Sequence, residues 1–111
     1  MVVCTRNRPD ALKKCIASVL AQSVKPKEII IVDDASEERM EIIPFLKNLK
    51  IRALPRKEID VKYLKNRRRQ GIVKSRNLGI ATAIGDVVAF IDDDTYAHKD
   101  WIKNMLRHYN K

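Results

Sequence analysis

Three carboxylates, Asp92, Asp93 and Asp94, stand side by side directly after the apolar run Val87–Ile91. Adjacent like charges repel and add no packing, so a triplet at a strand end implies a positive or hydrogen-donating partner. That partner is a metal ion, a basic side chain or a set of hydroxyls. A hard divalent cation takes oxygen ligands and keeps waters or phosphate oxygens, so one or two carboxylates suffice when a substrate supplies the rest. A helix cap is the plainer explanation, since Asp or Thr before a helix stabilises it by about 1 kcal/mol. A cap uses one such residue and leaves the others unexplained. A second acidic pair, Asp33 and Asp34, follows the β-branched run Glu28–Val32, and a third polar cluster, Thr5-Arg6-Asn7-Arg8, follows Met1–Cys4. The pair on its own reads equally as a site or as a loop in which Ser36 caps a helix from Glu37. His98 has no second imidazole beside it, which favours a surface or outer position over metal ligation.

The elements that carry these residues follow from periodicity. Met1–Cys4 is a short strand. Pro9 suits a first helical position, Asp10 the first turn, and Leu12, Cys15, Ile16, Val19 and Leu20 recur at helical spacing. Glu28–Val32 reads as a buried strand. A helical stretch begins at Glu37 and is kinked or split at Pro44. Ile51–Leu54 reads as a short strand, and the polar, basic segment Pro55–Gln70 as a mobile connection. A helix opens at Gly71 and runs to about Ala83, with Gly79 and Ala81 small enough for close packing on a sheet. Gly85 and Asp86 turn the chain into a strand at Val87–Ile91. A last helix places Trp101, Ile102, Met105, Leu106 and Tyr109 on one side, with Asp100 in its first turn.

Strands alternate with helices, and the strands are continuous apolar runs, which implies a parallel sheet covered on both faces. The expected fold is α/β: a three-layer α/β/α sandwich with a mostly parallel, doubly wound, Rossmann-like sheet. Ligands in such sheets sit outside the carboxyl ends of the strands, near the reversal of strand order. All three polar clusters fall on that edge.

Composition narrows the class. The 111 residues amount to one small domain with 45% hydrophobic content, enough for a core. No apolar run reaches the roughly 20 residues that span a bilayer, and no charged-then-apolar leader opens the chain. Cys4 and Cys15 have no metal spacing and read as small buried hydrophobes in a reducing compartment, hence a cytoplasmic setting that includes the inner membrane face. The net charge is +9, with Lys62, Lys65, Arg67, Arg68, Arg69, Lys74 and Arg76 crowded together. This is a solvated surface or a phosphate footprint. Nucleic acid is disfavoured because no aromatics interleave the basic stretch. A phosphoacceptor receiver is disfavoured because its acidic pair would follow the first strand rather than the second.

Three segments, "VVCTRNRPDALKKCIASVLAQS", "EIIIVDDAS" and "GIVKSRNLGIATAIGDVVAFIDDDTYAHKDWI", resemble the nucleotide-sugar-binding half of family 2 glycosyltransferases, which have the GT-A fold. The resemblance covers almost the whole chain in order. It implies an inverting, metal-assisted transfer of a sugar from a nucleoside-diphosphate sugar to an acceptor hydroxyl, with a UDP-sugar the expected donor and Mn²⁺ or Mg²⁺ the cofactor. By the same resemblance Asp94 is the metal ligand, Asp92 and Asp93 share the ribose contact and the metal's surroundings, Asp34 accepts from the base, and Asp33 supports either Asp34 or the ribose. Thr5, Arg6 and Asn7 wall the base and diphosphate. Arg76 of "SRNLG" reaches the donor, since a guanidinium fork matches two phosphate oxygens. Its alternative is a salt bridge to Asp33 or Asp34. The family's general base lies in a later half of the domain, so no catalytic residue is expected in this chain. The acceptor half is expected to be missing, with an exposed sheet edge open to self-association.

Overall fold

The computed structural model describes residues 1–37, 44–45 and 59–109. Four parallel strands, β1 (Val2–Thr5), β2 (Glu28–Asp33), β3 (Asp60–Lys65) and β4 (Phe90–Asp92), form one sheet in the order β3-β2-β1-β4. Three helices accompany them: α1 (Pro9–Leu20), α2 (Ile72–Thr82) and α3 (Trp101–Tyr109). Strand order reverses between β1 and β4, so the crevice of a doubly wound sheet lies at their carboxyl ends.

The core has two sides because β1 and β2 alternate. Val3, Ile29 and Ile31 pack with Leu12, Cys15, Ile16 and Val19 of α1 and Ile102 of α3 on one face. Val2, Ile30 and Val32 pack on the other with Leu64, Ala83 and Val88. Three layers result, as expected from apolar runs covered on both sides. Pro9 occupies the first turn of α1, and Asp10 lies in that turn. Gly79 lets α2 approach the sheet: a Cβ there would meet Val2 Cγ1 at 2.5 Å. Ala81, expected to share that role, is exposed.

Two buried polar side chains fasten the connections. Gln22, 1% exposed, donates from Nε2 to His98 O at 2.7 Å and accepts from Ile102 N at 3.0 Å, tying α3 to the end of α1. Glu28 accepts from Ile84 N at 2.6 Å, Gly85 N at 3.0 Å and Lys62 Nζ at 3.0 Å, fixing the turn that leads into β4.

The structure corrects three expectations. Residues 60–65, read as part of a mobile connection, are β3. Tyr63 and Val61 reach the α1-side core and Leu64 the other, while the lysines between them mask the alternation. β4 begins at Phe90 rather than Val87, because the ladder with β1 sets its register: Val2 lies opposite Phe90 and Cys4 opposite Asp92. The acidic triplet therefore starts inside the strand. Asp100 precedes α3 and bonds Ser23 Oγ at 2.6 Å instead of standing in the first turn. The strand expected at residues 51–54 and most of the helix from Glu37 lie outside the described residues. Of that helical stretch Glu37 is described, as a bend, and Pro44 and Phe45, in helical conformation.

Candidate functional site

A cavity of about 340 Å³ opens at the carboxyl ends of β1 and β4, lined by Cys4, Thr5, Arg6, Arg8, Asp34, Arg69, Gly71, Ile72, Ser75 and the triplet Asp92–Asp94. Chain alternation and the strand ends bring these residues together. Thr5 ends β1, Asp34 follows β2, Asp92 ends β4, and Gly71 precedes α2.

Each member of the triplet has its own partner. Asp93 is 8% exposed; its Oδ2 accepts from Thr5 Oγ1 at 2.8 Å and its Oδ1 from Arg8 Nη1 at 3.3 Å. Arg8 also stands 3.5 Å from Asp94 Oδ2. Asp92 is paired with Arg76 Nη2 at 3.7 Å, and that guanidinium lies 5.6 Å from the Phe90 ring centroid, a cation–π distance. Arg76 therefore bridges to Asp92, not to Asp33 or Asp34.

Asp34 is a clasp on the loop ahead of α2. Its Oδ1 accepts from Gln70 N at 2.7 Å and Asn66 Nδ2 at 3.0 Å, and its Oδ2 from Gly71 N at 2.9 Å. Burial works to raise its pKa, but these donors and the Arg69 charge outweigh it and hold the carboxyl below the usual value. A carboxylate offers about four lone-pair sites, so Oδ2 retains room for one more donor from the cavity.

Three of the expected site residues do not line the cavity: Arg76, held by Asp92 and Phe90, and Asp33 and Asn7. Asp33 is fully buried and absent from the cavity wall. Its Oδ1 accepts from Ser36 N at 3.0 Å and from Ser36 Oγ, and its Oδ2 from the Tyr63 hydroxyl. Burial, then the bond to Asp33, raises the Tyr63 pKa. Asn7 is exposed at φ +56°, donates from its backbone N to Ser36 Oγ at 2.9 Å, and accepts from Glu37 N at 2.8 Å. Both shape the loops without lining the cavity. Ser36 is consumed by these contacts. Arg6 does line the cavity. It stands 3.3 Å from Glu37 Oε1, and its Nε is buried with no hydrogen-bond partner among the described residues.

Sequence reasoning passed over Arg8, Arg69, Ser75 and Cys4. Arg8 was legible as the neighbour of Asn7, and Ser75 as the neighbour of Arg76. Arg69 was hidden in the basic run. Cys4 is half-buried, packed against the core beside Val2 and Val32 and also lining the cavity, and burial raises its thiol pKa. Cys15 is buried, and its pKa is pushed up to about 12, first by burial and then by the triplet's charge. His98 is exposed and engaged locally through Nδ1 to Asp100 N at 3.2 Å.

Among the described residues no three His, Cys, Asp or Glu side chains converge to hold a metal ion. Asp93 is taken up by Thr5 and Arg8, whereas Asp94 has a side chain 58% exposed. The donor set fits a hard cation that takes one carboxylate from the protein and its remaining oxygens from a ligand and water.

A profile of the family described as Glycosyl transferase family 2 matches residues 1–111. The chain is 36% identical over 112 residues to glucosyl-dolichyl phosphate glucuronosyltransferase of Haloferax volcanii, covering 98% of this chain and 33% of that protein. It is 33% identical over 107 residues to an uncharacterized glycosyltransferase of Rickettsia conorii, covering 96% of this chain and 16% of that one. The crystal structure of S. aureus TarS 1-349 superposes with a TM-score of 0.78 at 24% identity, over 98% of this chain and 31% of that one. TarS has also been solved in complex with UDP and with UDP-GlcNAc. The chain thus spans about a third or less of the length of these proteins. At 24% identity the likeness to TarS concerns the fold, a parallel α/β sheet of the GT-A type. With a profile match that runs from the first residue to the last, the chain belongs to glycosyl transferase family 2.

Proposed function

We propose that the 111 residues form the donor-binding part of an inverting glycosyltransferase that takes a nucleoside-diphosphate sugar, a UDP-sugar first among them. The observation that carries this is the cavity at the reversal of strand order, where Asp34, Thr5 and the triplet meet Arg6, Arg8 and Arg69. A nucleoside diphosphate presents N–H groups, hydroxyls and a charged diphosphate, and this wall offers a complement to each. Asp34 Oδ2 receives a base N–H. Asp92 receives a ribose hydroxyl. Arg6, whose Nε has no partner among the described residues, and Arg8 face the phosphates. Thr5 holds Asp93 in place, and Asp33 and Asn7 act only by shaping the loops.

Asp94 would hold Mn²⁺ or Mg²⁺, which when bound neutralises charge on the departing diphosphate. In the transfer an acceptor hydroxyl attacks the anomeric carbon, the bond to the diphosphate oxygen breaks with its electron pair, and the acceptor proton passes to a general base. That base and the acceptor wall are proposed to come from residues beyond these 111, in line with the greater length of the relatives. A cytoplasmic setting belongs to the same proposal, supported by two free cysteines. No described helix is long and apolar enough to cross a membrane.

Thermal melting with UDP and Mn²⁺ tests the reading. A roughly 100-fold excess over Kd should add about 2.7 kcal/mol of stability, and the gain should require the cation. No shift with millimolar UDP and Mn²⁺, together with silent calorimetry, would remove the donor site.

A further inference from the structure

We propose that Arg8 is the standing counter-ion of the acidic triplet and competes with the divalent cation for Asp94, so that cation and nucleotide enter together. This inference rests on the donor-site reading. Arg8 Nη1 lies 3.3 Å from Asp93 Oδ1 and 3.5 Å from Asp94 Oδ2, one guanidinium across two carboxylates. The two carboxylates are held differently. Asp93 has a side chain 10% exposed and a second bond from Thr5, so it keeps a partner whatever Arg8 does. Among the described residues Asp94 has no ion-pair partner but Arg8. The Arg8 side chain is 56% exposed, free to turn. Asp92 is served separately by Arg76.

A cation arriving at Asp94 meets a positive charge already in place. It binds weakly alone, because it must displace the guanidinium and gains one carboxylate. A diphosphate changes the balance: it brings oxygens for the cation and an anionic partner for the displaced Arg8, which lines the same cavity. Arg8 is therefore a positioning residue that couples the two ligands, and removing it should move their affinities in opposite directions.

Electron paramagnetic titration of Mn²⁺ alone, and calorimetry of UDP in saturating Mn²⁺, test this on the full chain. Exposed pairs are weak, so Arg8→Gln should bind Mn²⁺ alone about two- to fivefold more tightly than wild type. It should bind Mn²⁺–UDP less tightly. Arg8→Lys, which keeps the charge, should hold the wild-type Mn²⁺ affinity. Arg67→Gln removes the same charge outside the cavity and should leave it unchanged. Unchanged or weaker Mn²⁺ binding in Arg8→Gln, or an equal gain in Arg67→Gln, overturns the competition while wild-type binding of Mn²⁺–UDP leaves the donor site standing. If wild type binds no Mn²⁺–UDP at all, the donor-site reading falls and this inference with it.

Discussion

Asp34 and Asp94 are both carboxylates on one cavity, yet their substitution should have different consequences. Asp34→Asn sets an amide N–H₂ against either Gln70 N or Gly71 N, leaving a buried donor opposed. Urea unfolding should register a loss of about 1–3 kcal/mol, and UDP binding in Mn²⁺ should weaken. Asp94→Asn breaks one exposed ion pair, so its melting point should stay near wild type while the Mn²⁺ requirement of UDP binding disappears. Equal destabilisation in the two variants would refute the division. Acid should act through the first kind of residue. The Asp34 and Glu28 carboxyls are both held below their usual values, in each case by backbone and side-chain donors that outweigh burial. A depressed pKa contributes stability above the unfolded value, and that contribution is lost as pH falls through the folded one. Unfolding free energy should therefore be flat near neutrality and fall below about pH 4.5, with a shallower fall in Asp34→Asn. The acids themselves were legible in the sequence; their assignments were not. Asp33 is the last residue of β2 and Asp34 the first beyond it, so pleat alternation sends one to Ser36 and Tyr63 and the other to the cavity. A boundary uncertain by one residue exchanges their roles.

The seating of α2 on the sheet depends on Gly79. A Cβ at 2.5 Å from Val2 Cγ1 meets a stiff, buried, β-branched side chain. Overpacking of this kind costs about 1–3 kcal/mol, against about 1 kcal/mol that alanine gains over glycine inside a helix. Gly79→Ala should be less stable than wild type in urea, and less so in a Val2→Ala background, where the methyls that block it are gone. Additive losses in the double variant would show that the two residues do not meet. The other fastening element is Gln22, whose amide spans α1 and the start of α3. Gln22→Ala leaves His98 O and Ile102 N without their partner and should cost a further about 1–3 kcal/mol. Helices α1 and α3 were readable because their apolar residues recur at one period with little interruption. β3 was not, because Lys62 and Lys65 stand among its apolar residues. Lys62 is tolerated in the sheet because Glu28 receives it at 3.0 Å, a compensation from another strand that no local pattern reveals.

At the scale of the molecule, β4 has a strand neighbour on one side only among the described residues, with Val87 and Phe90 at 39% and 38% exposure beside it. An open edge flanked by apolar side chains is a template for pairing. The 111-residue chain is expected to self-associate, most simply as a dimer, and light scattering across concentration should show mass rising with protein. A monomer at every concentration would mean that the edge is protected. The chain alone is also expected to bind UDP yet transfer no sugar. On the proposal that the acceptor wall and the general base lie beyond these residues, the chain alone lacks acceptor positioning and a general base, the latter typically worth about 10²–10⁴-fold. Measurable transfer would relocate the base to these residues. The layer architecture followed from the alternation of elements, and the cavity from the rule for doubly wound sheets, so both were visible before any coordinates. The bond from Thr5 to Asp93 carries one consequence for how the protein comes into being. It joins positions 88 apart in sequence, and the cavity cannot close until β4 has docked on β1. Non-local pairing of this kind is slow to form. A growing chain that has made β1, α1 and β2 holds Thr5 and Asp34 but not the triplet. On the donor-site proposal, such a chain has no finished nucleotide site until β4 has docked on β1.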